Sequence, residues 1–432
     1  MQVGRKFRIY PDENQAPVLG RWIGSQRFTY NAKIEKYGYE NWLRQHAILS
    51  PSWAGADPSQ DKIFDQGYSD FRKTNPWMKE IPAEIFRNGC YRYRRAVINC
   101  AQGAGIPQPK SRDGTQSVLL TKELFQIEEQ DGKKRLRIQS RKTDLGIIEW
   151  VPHREFKSPN MASISHDPDD RWFIGFSSDN RESAPKVQNP EEESEILGND
   201  IGIANAIFSS NGSRIHPSEE AEHTYKKREC QAKHLQRKMA RQKRGSNNRK
   251  KTKKRLARVR SKQANSRRDF AHKASFKLCQ TPHKGVAFEN IRITNLTARP
   301  KPRPNEEGTG YERNGARAKA GLNKSLLNRS LGLVRSLTEA KASKFGKLFI
   351  LVPAAYSSQE CRRCHFTSPA NRPAQAEFIC QACGNTDHAD HNSSHIIAQR
   401  ALTLIRQELP DSACRGGRRP PMTQEAPPIR KG

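Results

Sequence analysis

Short runs of alternating apolar and polar positions occupy residues 1–12 and 115–180, as in SVLLTKELFQI, KRLRIQS and RWFIGFSSD, and predict half-buried β-strands. Between them, residues 16–104 change to helical spacing. There, aromatics and arginines interleave in RWIGSQRFTYN and IFRNGCYRYRRAV. The pattern predicts an all-β unit interrupted by a helical insertion. Arginine beside tyrosine or phenylalanine suits backbone contact plus base stacking on a nucleic acid, and ordinary amphipathic helices give the same mixture.

The second half opens with a denser apolar run, GNDIGIANAIFSSNG at 198–212, in which Ile201, Ile203, Ala206, Ile207 and Phe208 predict a core strand that contains an acid, Asp200. Ala232, Leu235 and Met239, then Leu256, Val259, Phe270, Ala274 and Leu278 beyond an RGSNN break, predict a helical hairpin over 222–280. KGVAFENIRI at 284–293 is a second apolar strand, ending in Glu289. Near the end, Ile396, Ile397, Leu402 and Ile405 mark an amphipathic helix with Asp390 at its start. Two Pro-, Gly- and charge-rich stretches, 181–195 and 298–321, read as linkers or loops, and the segment from Pro410 reads as a disordered tail.

Charge narrows the class of partner. The chain has 432 residues, with 77 Lys and Arg against 45 Asp and Glu, a formal net charge of +32. Residues 226–268 alone hold 20 Lys or Arg and one Glu, a density that self-repels unless phosphates neutralise it. Lys250, Lys251, Lys253, Lys254, Arg255 and Arg258 are the candidate nucleic-acid contacts in that run. A solvated helix face is the plainer reading. No apolar run approaches the ~20 residues of a spanning helix, and the first residues lack a signal-peptide core, so no membrane partner and a cytoplasmic, nucleoid-associated location are expected.

Nine cysteines divide unevenly: Cys90, Cys100, Cys230, Cys279 and Cys414 stand singly, whereas CRRC at 361–364 and CQAC at 380–383 enclose fifteen residues. That spacing predicts a four-thiolate zinc ribbon with Cys361, Cys364, Cys380 and Cys383 as ligands. A closed four-sulfur site is structural. Asp200, Glu289 and Asp390 then form a second candidate set: carboxylates from one strand, a later strand end and a helix start can hold two Mg²⁺ ions between phosphate oxygens. A compensated core Asp and a plain helix N-cap are the alternatives at Asp200 and Asp390.

Several blocks, in order, give the chain a recognisable likeness: RIYPDENQ, GSQRFTYN, KEIPAEIFRNG, DDRWFIGF, RRDFAHKAS, then GLNKSLLNRSLGLVRSLTEAKASKFGKLFILVPAAYSSQECRRC, CQACG and HADHNSSHIIAQRAL. Up to about residue 408 it resembles the TnpB-type transposon-associated nucleases, which are related to the compact type V CRISPR effectors. The resemblance implies an RNA-guided DNA endonuclease that takes a guide RNA, reads a short duplex motif and cleaves target double-stranded DNA. It also implies Asp200, Glu289 and Asp390 as catalytic carboxylates and the four paired cysteines as zinc ligands.

The fold so implied is α+β and multidomain, with an RNase H-like (RuvC-like) α/β core, an inserted zinc ribbon, and an N-terminal β-barrel interrupted by a helical insertion. The expected divisions are a wedge barrel at 1–15 and 105–180, helical recognition insertion 16–104, linker 181–195, nuclease core 196–355, zinc ribbon 356–386, last core helix 387–409 and tail 410–432. This sequence departs from the family at Asn199, which should point away from Asp200, and at His365, which follows Cys364 where glycine is usual and should strain that turn. The NSSHI segment stands where an alanine-rich version is usual. The competing functions are an RNA-guided DNA binder or repressor with little cleavage, and a transposase using RNase H-like chemistry.

Overall fold

A computed structural model of the chain describes residues 2–45, 67–130, 133–156, 159–179, 185–202, 205–305 and 309–408. The expected tail 410–432, the opening residues of the 181–195 linker and part of the 298–321 loop lie outside the described residues. Packing divides the chain into two compact units, Met1–Glu182 with Lys238–Arg258, and Ser183–Arg237 with Val259–Gly432.

In the first unit, β1 (Gln2–Tyr10) runs into α1 (Gln15–Gln45) through a reciprocal cap. The Asp12 side chain accepts the N–H groups of Asn14 and Gln15, each at 2.8 Å, while the Gln15 side chain accepts the N–H of Asp12 at 3.1 Å. Helices α2 (Ser69–Thr74) and α3 (Ala83–Ala101) follow. Six strands complete this part: β2 (Gln116–Thr121), β3 (Phe125–Gln130), β4 (Lys133–Gln139), β5 (Asp144–Val151), β6 (Met161–His166) and β7 (Trp172–Asp179).

Their sheet is antiparallel, in the order β2-β6-β7-β1-β5-β4-β3. Its two end strands, β2 and β3, are consecutive in the chain and joined only by the turn Lys122–Leu124. Three residues span at most ~10 Å, so the sheet must curl until its ends approach. Phe7, Ile9, Val118, Leu120, Ile138, Ile148, Ile164 and Ile174 fill the inside, and Leu19 and Trp22 of α1 with Ile85 and Phe86 of α3 join the same cluster. The buried Gln26 ties these layers together, donating to the carbonyls of Ile85 and Leu119 and accepting the Leu119 N–H at 2.7 Å.

The second part of the chain adds β8 (Ile196–Ile201), β9 (Ile207–Ser209), β10 (Arg214–Ile215), the long helices α4 (Glu219–Arg241) and α5 (Asn247–Cys279), and β11 (Gly285–Glu289). Then come α6 (Ile293–Leu296), α7 (Ala316–Arg329), α8 (Leu331–Lys344), β12 (Leu348–Val352), β13 (Glu377–Ile379), β14 (Thr386–His388) and α9 (Ala389–Glu408). A five-stranded sheet, β10-β9-β8-β11-β12, has β8, β11 and β12 parallel, with β9 antiparallel to both of its neighbours, β8 and β10.

Strand alternation sorts the two faces of this sheet. Leu197, Val286 and Phe288 pack against Ala271, Ala274 and Leu278 of α5 and Val334 of α8. On the opposite face, Ile196, Ala287, Ile350 and Val352 pack against Ile397, Ala398, Ala401 and Ile405 of α9. Helix α9 lies close to β8 because position 198 has no side chain: a Cβ there would stand 2.0 Å from the Ser394 carbonyl oxygen and 2.8 Å from the Ala398 nitrogen.

Candidate active site

The face occupied by α9 is also the face of the acids. Along β8, Ile196, Gly198 and Asp200 share one side of the strand, and along β11 so do Gly285, Ala287 and Glu289. The parallel register pairs Ala287 with Gly198 and Phe288 with Asn199. One step further, Asp200 and Glu289 therefore stand at the carboxyl ends of neighbouring strands. Asp390 lies in the first turn of α9, which packs over these strands.

Glu289 and Asp390 are both near enough to Asp200 for their charges to act on it. The Asp200 carboxyl is pushed up to about 7, first by burial and then by the charges of Glu289 and Asp390, against weaker opposition from Arg372 and the Ile201 N–H. Burial also raises Glu289, which is only 5% exposed, although the Ser357 hydroxyl donates to its Oε1 and Arg400 acts in the same direction. Asp390 accepts from Asn205 Nδ2 at 3.4 Å and has Arg372 at 3.9 Å. A compensated core Asp would need a dominant positive neighbour. Asp200 has two negative ones, so a bound cation suits this site.

Asn199 points to the other side of β8, as expected. Its Nδ2 donates to the carbonyls of Leu197 (2.8 Å) and Ala287 (3.1 Å), and its Oδ1 accepts from Ser209 Oγ at 2.7 Å, so the buried amide is fully engaged within the sheet. Sequence reasoning did not single out Arg372, Ser357 or Arg400. They come from the ribbon loop, the segment after β12 and the middle of α9, and no periodicity connects them.

The four paired cysteines come together, with every Sγ within 4.8 Å of the others. Cys361 and Cys383 are 3.7 Å apart and Cys364 and Cys380 are 3.5 Å apart, close to the ~3.8 Å edge of a tetrahedron with ~2.3 Å zinc–sulfur bonds. Among the described residues they are the only group of three or more Cys, His, Asp or Glu side chains placed to share one ion. The three carboxylates are thus not a cage around a single point. Burial opposes the Cys380 thiolate, yet the N–H groups of Cys383 and Ala382 and the Cys364 thiol bring its pKa down to about 7.

Each cysteine pair is followed by a left-handed residue, Gly384 at φ 69° and His365 at φ 59°. The glycine adopts this freely, whereas the histidine pays roughly 1–2 kcal/mol. An interaction of His365 Nδ1 with Glu360 Oε1 at 3.0 Å partly offsets that strain.

On α5, Lys250, Lys251, Arg255 and Arg258 are exposed. Two neighbours are engaged within the first unit, Lys253 with Asp113 at 3.3 Å and Lys254 with Asp170. The run is therefore not uniformly free charge.

Comparison with known proteins agrees with this layout. Residues 176–299 match the IS605 OrfB family described as a probable transposase, and residues 332–397 match the Cas12f1-like TNB domain. Residues 1–37 match an IS605 OrfB domain described as helix-turn-helix, although here they form a strand followed by one helix. The chain is 25% identical over 423 residues to a putative RNA-guided DNA endonuclease, InsQ, of Escherichia coli K12, covering 94% of each. It is also 25% identical over 424 residues to a putative RNA-guided DNA endonuclease of Streptomyces pristinaespiralis, covering 96% of this chain and 91% of that protein. The fold is similar to Cas12f1 in a complex with single-guide RNA and target DNA, with a TM-score of 0.57 at 14% identity over 90% of this chain and 83% of the other. The chain is thus similar to the IS605 OrfB proteins over residues 176–299, to the Cas12f1-like TNB domain over residues 332–397 and, in fold, to Cas12f1.

Proposed function

We propose that this protein is an RNA-guided DNA endonuclease whose catalytic residues are Asp200, Glu289 and Asp390. The observation that carries the reading is the placing of Glu289 and Asp390 close enough to the buried Asp200 for their charges to add to the effect of burial on it. The names of the two full-length relatives supply guide RNA and target DNA as partners. In this reading the mixed sheet with α5 and α8 on one face and α9 on the other is the RuvC-like core. The curled sheet with α1–α3 is the wedge barrel and its recognition insertion, and the exposed lysines and arginines of α5 hold nucleic-acid backbones.

Mg²⁺ bound between these acids would activate a water and stabilise the leaving oxygen of the phosphodiester. The protein's own part is to present the ligands. Strands β8 and β11 fix Asp200 and Glu289 side by side, Ser357 orients Glu289 through its Oε1, and Asn205 and Arg372 hold Asp390 while it awaits its cation. Zinc in the four-thiolate centre would be structural, since its ligands leave no open position.

The test is plasmid cleavage with Mg²⁺ and the RNA that co-purifies with the protein. Asp200→Ala, Glu289→Ala and Asp390→Ala should each abolish cleavage while RNA affinity stays within a few fold, and double variants should be no worse than singles. Full cleavage by any single variant removes that residue from the site. Guided binding without cleavage by the wild type would favour the repressor alternative.

A further inference from the structure

A cavity of about 340 Å³ opens in the first unit between α1, α3 and the segment entering β2. Three of its lining side chains are cations, Arg27, Arg92 and Lys110, and no carboxylate among the described residues lines it. Neutral groups orient all three. Arg27 Nη1 donates to Gln116 Oε1 at 2.6 Å, and Arg92 Nη1 donates to the Ser117 carbonyl at 2.9 Å. Lys110 Nζ lies 3.9 Å from the centre of the Tyr30 ring.

This arrangement is costly without an anion. Burial lowers Lys110 to about 8, with the Arg92 charge adding to the effect, and burial lowers Arg92 to about 10. Arg27, Arg92 and Lys110 are each partly buried, and no carboxylate in the lining pairs with them. A tetrahedral phosphate, which accepts hydrogen bonds from several directions, matches three donors arriving from three elements.

We propose that this cavity is a binding pocket for one backbone phosphate of a nucleic acid. The choice of nucleic acid as the source rests on the function proposed above. No residue of α5 lines the pocket, although Lys253 pairs with Asp113 in the segment that does, and the pocket draws on two arginines and a lysine far apart in sequence. The source strand is either the guide RNA or the target DNA, which present the same group.

Wild-type protein, treated with an amine-acylating reagent, is analysed by mass spectrometry for modification at Lys110, alone and with single-stranded guide RNA, duplex DNA or inorganic phosphate. One of the two nucleic acids should protect Lys110, and which one identifies the strand. Lys110→Gln should then weaken affinity for that nucleic acid about tenfold, the size of one charge-assisted hydrogen bond. It should also reduce the log–log salt slope by roughly 0.7 for a single strand or 0.9 for a duplex. Arg27→Gln provides a second variant, whereas Arg92 also bonds β2 and β6 and is a poorer choice. Equal labelling with and without each nucleic acid, or protection by inorganic phosphate alone, would overturn the assignment. Protection intact in a protein that never cleaves would count against the proposed nuclease function and leave the pocket standing.

Discussion

Replacing Gly198 with alanine tests the link between packing and site most directly. The new Cβ would lie 2.0 Å from the Ser394 carbonyl oxygen, 2.8 Å from the Ala398 nitrogen and 3.1 Å from the Ala398 Cβ. Carbon–oxygen contacts settle near ~3.3 Å, so α9 must retreat by ~1 Å or more, because the colliding atoms are its backbone. The strand is held from the other side by the Asn199 hydrogen bonds, and Asp390 lies one turn from Ser394 on the moving helix. Overpacking of this kind costs ~1–3 kcal/mol, which lowers Tm by about 2–4 °C per kcal/mol in a unit of this size. A ~1 Å displacement of a catalytic group costs ~100-fold in rate. The assay is single-turnover guided cleavage beside thermal melting and RNA binding, with Gly321→Ala as a control, since nothing lies within 4 Å of a Cβ at that position on α7. A Gly198→Ala rate within about threefold of wild type, with an unchanged Tm, would refute this link between packing and site.

Three further outcomes follow from particular contacts. Changing Lys250, Lys251, Lys253 and Lys254 to Gln should flatten the salt dependence of nucleic-acid binding by roughly two units rather than four, because Lys253 and Lys254 already pair with Asp113 and Asp170; an unchanged slope would make the run a solvated face. Asp200 binds its proton more tightly folded (about 7) than unfolded (3.8), so metal-free protein should lose stability as pH rises from about 4 to about 7. Asp200→Asn should flatten that part of the melting profile, and identical profiles would contradict the shift. Cys361→Ser or Cys383→Ser should lower zinc content and loosen β13 and β14, checked by metal analysis and hydrogen exchange; zinc-free wild-type protein would sink this prediction.

Much of the architecture was legible because period-2 and period-3.6 patterns are local. Alternation marked β1 and β7, helical spacing marked α4 and α5 on either side of RGSNN, and the acids at 200, 289 and 390 stand on the elements that their surrounding apolar residues predict. His365 was legible too, since a residue in a glycine position must accept a left-handed backbone. Contacts between distant segments were not. Arg372 reaches Asp390 from a loop with no repeating pattern, and Ser357 meets Glu289 across 68 residues. Likewise, the pairing of Lys253 with Asp113 depends on packing that no charge count contains. Nor does any pattern around Gly198 show that the backbone of α9 lies against it.

The position of the ribbon in the chain explains why the four-cysteine cluster sits beside the three carboxylates. The chain leaves β12 next to Glu289, passes through both cysteine pairs and only then begins α9, so the ribbon determines where Asp390 starts. Asn392, buried in the second turn, donates to the Glu360 carbonyl at 2.7 Å and accepts the Arg362 N–H at 3.0 Å, while the Ala389 N–H donates to Ala376 at 2.9 Å. Arg400 closes the other side, donating to Pro353 at 2.7 Å and to Glu360 Oε2 at 2.6 Å. Every one of these partners lies between β12 and β14. The ribbon thus holds the beginning of α9 and the gap at Gly198 seats its middle, and two separated constraints fix the helix axis. An acid in the first turn of a helix held at two points keeps its distance from Asp200 even though like charge pushes them apart. Metal bound by the four cysteines would add folding energy that opposes the mutual repulsion of the acids.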